Sequence, residues 1–133
     1  MESVGDVVDL DPAVVRAIQE REGYVALIFS QQPAYSRAVG NNPRLVPLYD
    51  CEIHVEGARI ELLQVELPYE TTEWEIEYNG GSRSYFLPTQ FAAAGPVRLK
   101  LGPSDEPRIV VSGSSVRLHL GEQVGTFEQR AAT

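Results

Sequence analysis

EWEIEYNGGSRSYFL, residues 73–87, decides the fold, because its first half alternates strictly between glutamate and apolar residues. Trp74, Ile76 and Tyr78 fall on one side of an extended strand and the glutamates on the other, since successive side chains point to opposite faces. Asn79-Gly80-Gly81 follows, and these residues tolerate the positive φ that tight hairpin turns need. The stretch predicts a β-hairpin in an antiparallel protein, with its apolar side buried and its carboxylates in solvent.

Short strand-like segments recur along the rest of the chain. Residues 24–30 are almost continuously apolar, as in a central strand, and residues 51–56 alternate, which directs the single cysteine, Cys51, inward. Similar segments at 97–101, 108–112 and 115–120 are separated by residues typical of turns. This spacing in a chain of 133 residues predicts a single domain, residues 1–133, that is mainly β: an antiparallel β-sandwich or small barrel of about seven to eight strands.

One short N-terminal helix is expected before these strands. Asp11 suits the cap, Pro12 the first helical position and Gly23 the exit, and three apolar residues between them form a narrow stripe: Val14, Val15 and Ile18. The ends of the chain, residues 1–9 and 121–133, are expected as loose tails, the first alternatively as an extra edge strand.

Connections between the strands follow from turn residues. Gly57-Ala58 is expected to turn the chain into a strand over residues 59–67, with a bulge near Leu62-Leu63 where alternation breaks. The residues Ser112-Gly113-Ser114-Ser115 predict a further turn. Phe91, in the connection between two later strands, is expected to plug the core.

The charge of the chain is acidic and unevenly distributed. The net charge is −8, and residues 50–77 hold nine acidic residues against one basic residue, Arg59. This balance argues against binding of nucleic acid or an anionic membrane, whose phosphates require lysine and arginine. It fits a protein partner with a basic surface. Since no apolar run is long enough to span a membrane and no leader opens the chain, a cytoplasmic location is expected.

Two regions are candidates for contacting such a partner. The first is a carboxylate-rich sheet face, and the second is a long connection over residues 31–47, whose length is typical of a functional loop. A solvated face that only keeps the domain soluble is the alternative reading of the carboxylates. The candidate residues of the two regions are Glu52, Glu56, Glu73, Glu75 and Glu77, and Tyr35, Arg37 and Arg44.

The position of the basic strands relative to the acidic ones allows two layouts. Arg98, Lys100, Arg117 and His119 alternate with apolar residues in the later strands. If acidic and basic strands are neighbours, their side chains form cross-strand ion pairs. If the strands lie in opposite sheets, the molecule has one acidic and one basic face that would steer a charged partner. The order of the strands along the chain favours the second layout.

Residues that carry chemistry are few. His54 lies between Glu52 and Glu56 on one strand face, and with His119 they would suit a divalent cation if the two strands were neighbours. The spacing matches no metal motif and Arg117 opposes a cation, so neither metal nor cofactor is expected. Cys51 and His54 point to opposite faces of a strand, which excludes a local thiolate pair.

The sequence therefore predicts a non-catalytic acidic β domain that binds another protein, as an adaptor, inhibitor or accessory subunit. One alternative is a small-ligand or carbohydrate-binding module that uses Trp74 and Tyr78 as a platform. Another is a small hydrolase with paired glutamates. An exposed edge strand would also allow a homodimer.

Overall fold

The computed structural model describes residues 7–35 and 44–129, which are mainly β. Eleven strands are present in this part of the chain, and no helix. They are β1 (Val7–Asp9), β2 (Ala13–Arg21), β3 (Tyr24–Tyr35), β4 (Arg44–Glu56), β5 (Arg59–Leu63), β6 (Tyr69–Thr71), β7 (Trp74–Tyr78), β8 (Gly81–Arg83), β9 (Phe86–Pro88), β10 (Ala92–Leu101) and β11 (Ile109–Gln129).

All strands belong to one antiparallel sheet. Its main path runs β6-β2-β3-β4-β11-β10-β7-β8, while β1 pairs with β3 and β9, and β5 pairs with β11. The sheet curls into a half-barrel. The predicted antiparallel, mainly β class is thus confirmed, whereas a sandwich is not.

One cluster of buried residues forms the core of the curled sheet. Trp74 and Ile76 are buried there, as the alternation predicts, and so are Cys51 and the plug Phe91. Removing this apolar surface from water is the main source of stability for a chain without disulfides. The largest fully buried apolar side chains include Leu10, Leu27, Phe29, Ile53, Ile76, Leu87, Leu99, Leu101 and Ile109.

The predicted N-terminal helix is wrong, because residues 13–21 form β2. This strand pairs with β3 in a hairpin whose last pair is Arg21 with Tyr24, so Glu22 and Gly23 form a two-residue turn. Gly23 has φ +89°, which the turn needs and which glycine adopts without strain. The glycine that resembled a helix exit therefore closes a hairpin.

The longest strand, β11, was predicted as two strands joined by a turn, and this is wrong. Residues 112–115 continue the strand, and Gly113 lies where the backbones approach closely: a Cβ there would be 2.5 Å from the Glu56 carbonyl oxygen. Gly57-Ala58 likewise does not reverse the chain, since β4 and β5 run in the same direction along β11. The bulge predicted in β5 is found between Ile60 and Leu62.

The predicted 31–47 loop and the predicted tails are shorter than expected. β3 continues to Tyr35 and β4 begins at Arg44. Both ends of the predicted loop therefore belong to strands. Residues 7–9 form β1, which pairs on both sides, and residues 121–129 belong to β11. The rest of these segments lies outside the described residues.

Candidate functional site

The predicted carboxylate surface is split between two distant strands. Glu52 and Glu56 lie on β4, whereas Glu75 and Glu77 lie on β7 and Glu73 immediately precedes it. β11 and β10 separate β4 from β7 in the sheet. The five glutamates therefore do not form one continuous surface.

The layout in which acidic and basic strands occupy opposite faces is wrong. Along β10 and β7, Lys100 is the register partner of Glu75 and Arg98 that of Glu77; along β11 and β4, His119 is opposite Glu52. The basic strands are inserted between the acidic ones because β11 pairs with a strand far back in the sequence. Cross-strand ion pairs result.

A polar cluster forms around Glu52 on the outer side of β4. Its Oε1 atom lies 2.9 Å from Arg21 Nη1 and 2.7 Å from His54 Nε2. The His54 ring contacts the rings of Tyr24 and His119, with centroid separations of 4.6 and 4.7 Å. Partial burial opposes ionisation of Glu52, but the hydrogen bonds from His54 and Arg21 outweigh it and lower the pKa of Glu52.

This cluster does not form the cation site considered from the sequence. The two strands are neighbours, as such a site requires, but His54 Nε2 faces Glu52 and Arg117 lines the adjacent cavity with Glu22 and Glu56. Within residues 7–35 and 44–129, no group of three or more His, Cys, Asp or Glu is arranged to hold a metal ion.

The carboxylates near β7 share one lysine. Lys100 Nζ lies 3.0 Å from Glu77 Oε1 and 3.6 Å from Glu75 Oε1. Arg98, the next outward cation on β10, lies 3.5 Å from Glu61 Oε1. Among the described residues, Lys100 is the ion-pair partner of both Glu75 and Glu77, and Glu73 has none, so this region keeps an excess of negative charge.

Next to these carboxylates the chain makes a strained turn at Tyr85. This residue has φ +68°, and the Phe86 N–H donates to the Ser84 carbonyl at 2.8 Å, which closes a three-residue γ-turn. A bulky residue with positive φ is uncommon, because its Cβ crowds the backbone. Tyr85 and Phe86 are each 46% exposed.

Leu10 holds this turn against the core. Its N–H donates to the Tyr85 carbonyl at 2.8 Å, and its carbonyl accepts the indole N–H of Trp74 at 2.7 Å. One buried residue thus connects the strained turn to the tryptophan of β7. The positions of Tyr85 and Trp74 are fixed relative to each other.

A cavity of about 290 Å³ opens between the turn and β7, and we name it the Tyr85 cavity. Carboxylates, a lysine and two aromatic residues meet at this one concave place. Its lining residues are Glu73, Trp74, Glu75, Ser84, Tyr85, Lys100, Gly102 and Ser104.

The aromatic platform that was the alternative use of Trp74 and Tyr78 does not form, and the predicted burial of Trp74 is found. Trp74 is only 5% exposed, because its ring packs in the core. Tyr78 is half-buried and meets the Phe91 ring edge-on at 5.7 Å. A flat face for stacking a sugar ring is therefore not available at these two residues.

The remaining predicted residues lie elsewhere in the fold. Tyr35 is half-buried at the end of β3, where it is the register partner of Val7, and Arg44 begins β4. Arg37 lies outside the described residues.

Burial raises the pKa of two groups, Cys51 and Asp9, which do not form a catalytic pair with each other. Burial raises the pKa of Cys51 to about 12, with Asp50 and Glu52 adding to the effect, so its thiol stays protonated. Burial also raises the pKa of Asp9, while a hydrogen bond from the Asp11 N–H opposes the shift.

The alternative of a hydrolase with paired glutamates requires two carboxyl groups in contrasting environments. Glu75 and Glu77 instead share the same ion-pair partner, Lys100.

Sequence reasoning missed the Tyr85 cavity. The only signal was the concentration of aromatic residues in the hairpin segment, and nothing about Tyr85 itself indicates positive φ. The role of Lys100 depends on the pairing of β10 with β7, which is not encoded locally.

Comparisons with protein-family models, with curated proteins and with solved structures gave no match. In the part of the chain that the structure describes, no helix has the length and apolarity needed to cross a bilayer.

Proposed function

We propose that this protein is a non-catalytic binding module that docks another protein with a basic surface. The observation that carries the proposal is the juxtaposition of Glu73 and Glu75 with the exposed Tyr85 at a strained turn, where the next residue, Phe86, is exposed as well. We name this region the acidic–aromatic surface; it consists of Glu73, Glu75, Glu77, Tyr85 and Phe86.

The aromatic residues of this surface are of the type that is enriched in the hot spots of protein–protein interfaces. Exposed tyrosine supplies a large contact area with few rotatable bonds, and aromatic residues are enriched at protein interfaces. The excess negative charge would accelerate the approach of a basic partner more than it would increase affinity. Together these features support docking of a protein rather than simple solvation of a sheet face.

The glutamates of β4 contribute less to this proposal. Glu52 is already engaged by Arg21 and His54, so a partner's cation would have to displace existing contacts. Glu56 stays a candidate at the rim of the neighbouring polar cavity. The contribution predicted for Tyr35, Arg37 and Arg44 also stays a prediction.

The test is capture of partners from a lysate of the source organism with matched charge variants. Glu73→Lys places a cation within the acidic–aromatic surface, and Glu122→Lys makes the same change in net charge at an exposed site on β11. We expect Glu73→Lys to reduce capture of a specific protein about fivefold or more, with Glu122→Lys close to wild type. The capture should also fall between washes at about 0.1 M and about 1 M salt, where screening shortens from about 10 Å to about 3 Å.

A partner that both variants capture equally well would contradict the proposal, since the acidic–aromatic surface would then play no part. Equal loss with both variants would show that only net charge matters, which also contradicts it. If no protein is captured at low salt, a small-ligand function becomes the better explanation.

A further inference from the structure

The size of the Tyr85 cavity limits what it can hold. At about 290 Å³ it lies at the lower end of the range for small-molecule pockets. Its lining includes two aromatic residues, two carboxylates, two serine hydroxyls and the ammonium-bearing Lys100. This volume suits one long side chain of a docked protein better than a larger ligand.

The charge around the cavity favours a cation. Lys100 lies closer to Glu77 than to Glu75, by 3.0 Å against 3.6 Å, so its ammonium is drawn toward the far end of the carboxylate row. Glu73 and Glu75, which line the cavity, therefore keep acceptor capacity. An incoming cation would replace no existing ion pair at Glu73, for which the described residues show none.

The exposed aromatic residue Tyr85 favours a guanidinium over an ammonium. A planar guanidinium stacks on a tyrosine face and at the same time presents a fork of N–H donors that matches a carboxylate. Tyr85 is held in place for such stacking, because the hydrogen bonds through Leu10 and within the γ-turn fix its backbone. Lysine lacks both the plane and the fork.

The backbone strain at Tyr85 also supports a binding role for its side chain. Glycine or asparagine would adopt φ +68° more easily, yet a large aromatic residue occupies the position. Strained backbone of this kind is concentrated at sites where it orients a functional side chain. The turn holds the Tyr85 ring beside the carboxylates instead of allowing it to fold onto the core.

We propose that the Tyr85 cavity receives a single arginine side chain of the partner protein, stacked on Tyr85 and hydrogen-bonded to Glu73 and Glu75. This inference rests on the proposed protein-binding function and specifies how the partner is recognised. It also predicts that the partner's basic surface presents an arginine that protrudes enough to enter the cavity.

Short peptides test the inference directly. The full chain is titrated with acetyl-Gly-Arg-Gly-amide, with the same peptide carrying lysine, and with the peptide carrying citrulline, the neutral isostere of arginine. Trp74 is the only tryptophan and lines the cavity, so its fluorescence and its indole N–H resonance report binding. We expect saturable, millimolar binding of the arginine peptide and at least about tenfold weaker binding of the other two.

Variants locate the binding site. Glu73→Gln and Tyr85→Asn should each weaken binding of the arginine peptide at least about fivefold, whereas Glu122→Gln should not change it. Tyr85→Asn removes the ring but tolerates positive φ, so its thermal midpoint should equal or exceed that of wild type. Loss of binding in this variant would then report the missing ring and not a failure to fold.

The outcomes separate this inference from the proposed function. If the arginine peptide does not bind while Glu73→Lys still abolishes capture of the partner, the arginine cavity is wrong and the protein-binding function stands. If neither effect is seen, both fail. Equal binding of the lysine or citrulline peptide would overturn guanidinium recognition, and saturable binding of methyl glucoside instead would favour a carbohydrate ligand.

Discussion

At the scale of single residues, Gln32 links three parts of the fold. It is buried on β3, where its Nε2 donates to the carbonyls of Asp9 at 2.8 Å and Pro12 at 3.0 Å. Its Oε1 accepts the N–H of Val14 at 3.0 Å. The side chain therefore forms hydrogen bonds with three backbone groups.

Replacing Gln32 by methionine should destabilise the protein by about 2–3 kcal/mol, because the shape is kept while buried backbone groups lose their hydrogen bonds. Urea denaturation followed by Trp74 fluorescence measures the change in unfolding free energy. Gln64→Met, at an exposed residue, is the matched control and should change it by less than about 0.5 kcal/mol. Equal effects in the two variants would contradict the role assigned to Gln32.

The difference between Gln32 and Trp74 shows what sequence can predict at this scale. Burial of Trp74 follows from alternation within its own strand, which is a local signal. Gln32 is a polar residue whose burial depends on backbone groups about 20 residues away in sequence. No local pattern distinguishes it from the exposed Gln31 beside it.

At the scale of elements, β2 resembled a helix for a specific reason. A bulge lies between Val15 and Ala17, so the inward positions switch parity there. Ala13, Val15 and Ile18 all face the core cluster, at spacings of two and then three residues. That spacing imitates the helical period, whereas the β-branched residues and the pairing with β3 stabilise a strand.

Close approach of β11 to β4 depends on Gly113. A Cβ at this position would meet the Glu56 carbonyl at 2.5 Å and Val55 Cγ1 at 2.6 Å. We expect Gly113→Ala to destabilise the protein by about 1–3 kcal/mol, since backbone on both strands must shift. Thermal denaturation of this variant and of Gly81→Ala, whose Cβ would make only ordinary contacts, provides the comparison. If Gly113→Ala is as stable as Gly81→Ala, the close approach is wrong.

The predicted homodimer through an edge strand stays a prediction. β10 pairs with β11 only as far as Arg117, and β11 continues to Gln129. Among the described residues, no strand pairs with this outer edge beyond Arg117. It is the longest edge to which a second chain could add.

At the scale of the whole molecule, the sequence predicts which segments of the chain carry charge but not how these segments are arranged relative to one another. The acidic window and the basic strands were identified correctly, whereas their arrangement followed from an assumed order of neighbours. Insertion of β11 between β4 and β10 overturns that order. Only the long-range pairing of the sheet determines which carboxylates meet a cation.

Acid should weaken the fold partly through Glu52. Its pKa is lower in the folded state than the ordinary 4.5, so its contribution to stability is present above pH 4.5 and is lost as pH falls through the folded value. We expect Glu52→Gln to lose less stability than wild type below pH 4.5, by on the order of 0.5–1 kcal/mol, since the group is partly exposed. Thermal midpoints measured from about pH 6 to about pH 3 test this. Parallel curves of thermal midpoint against pH for wild type and Glu52→Gln would contradict this prediction. Glu122→Gln is the control, and its curve should follow that of wild type.

The central place of β11 has a consequence for biosynthesis. Among the described strands it is the last to be translated, yet it joins β4 and β5 on one side to β10 on the other. Until it leaves the ribosome, the nascent chain holds two partial sheets with open inner edges, β6-β2-β3-β4 and β10-β7-β8. At about 5–20 residues per second this exposure lasts for seconds, during which the open strand edges are prone to aggregation.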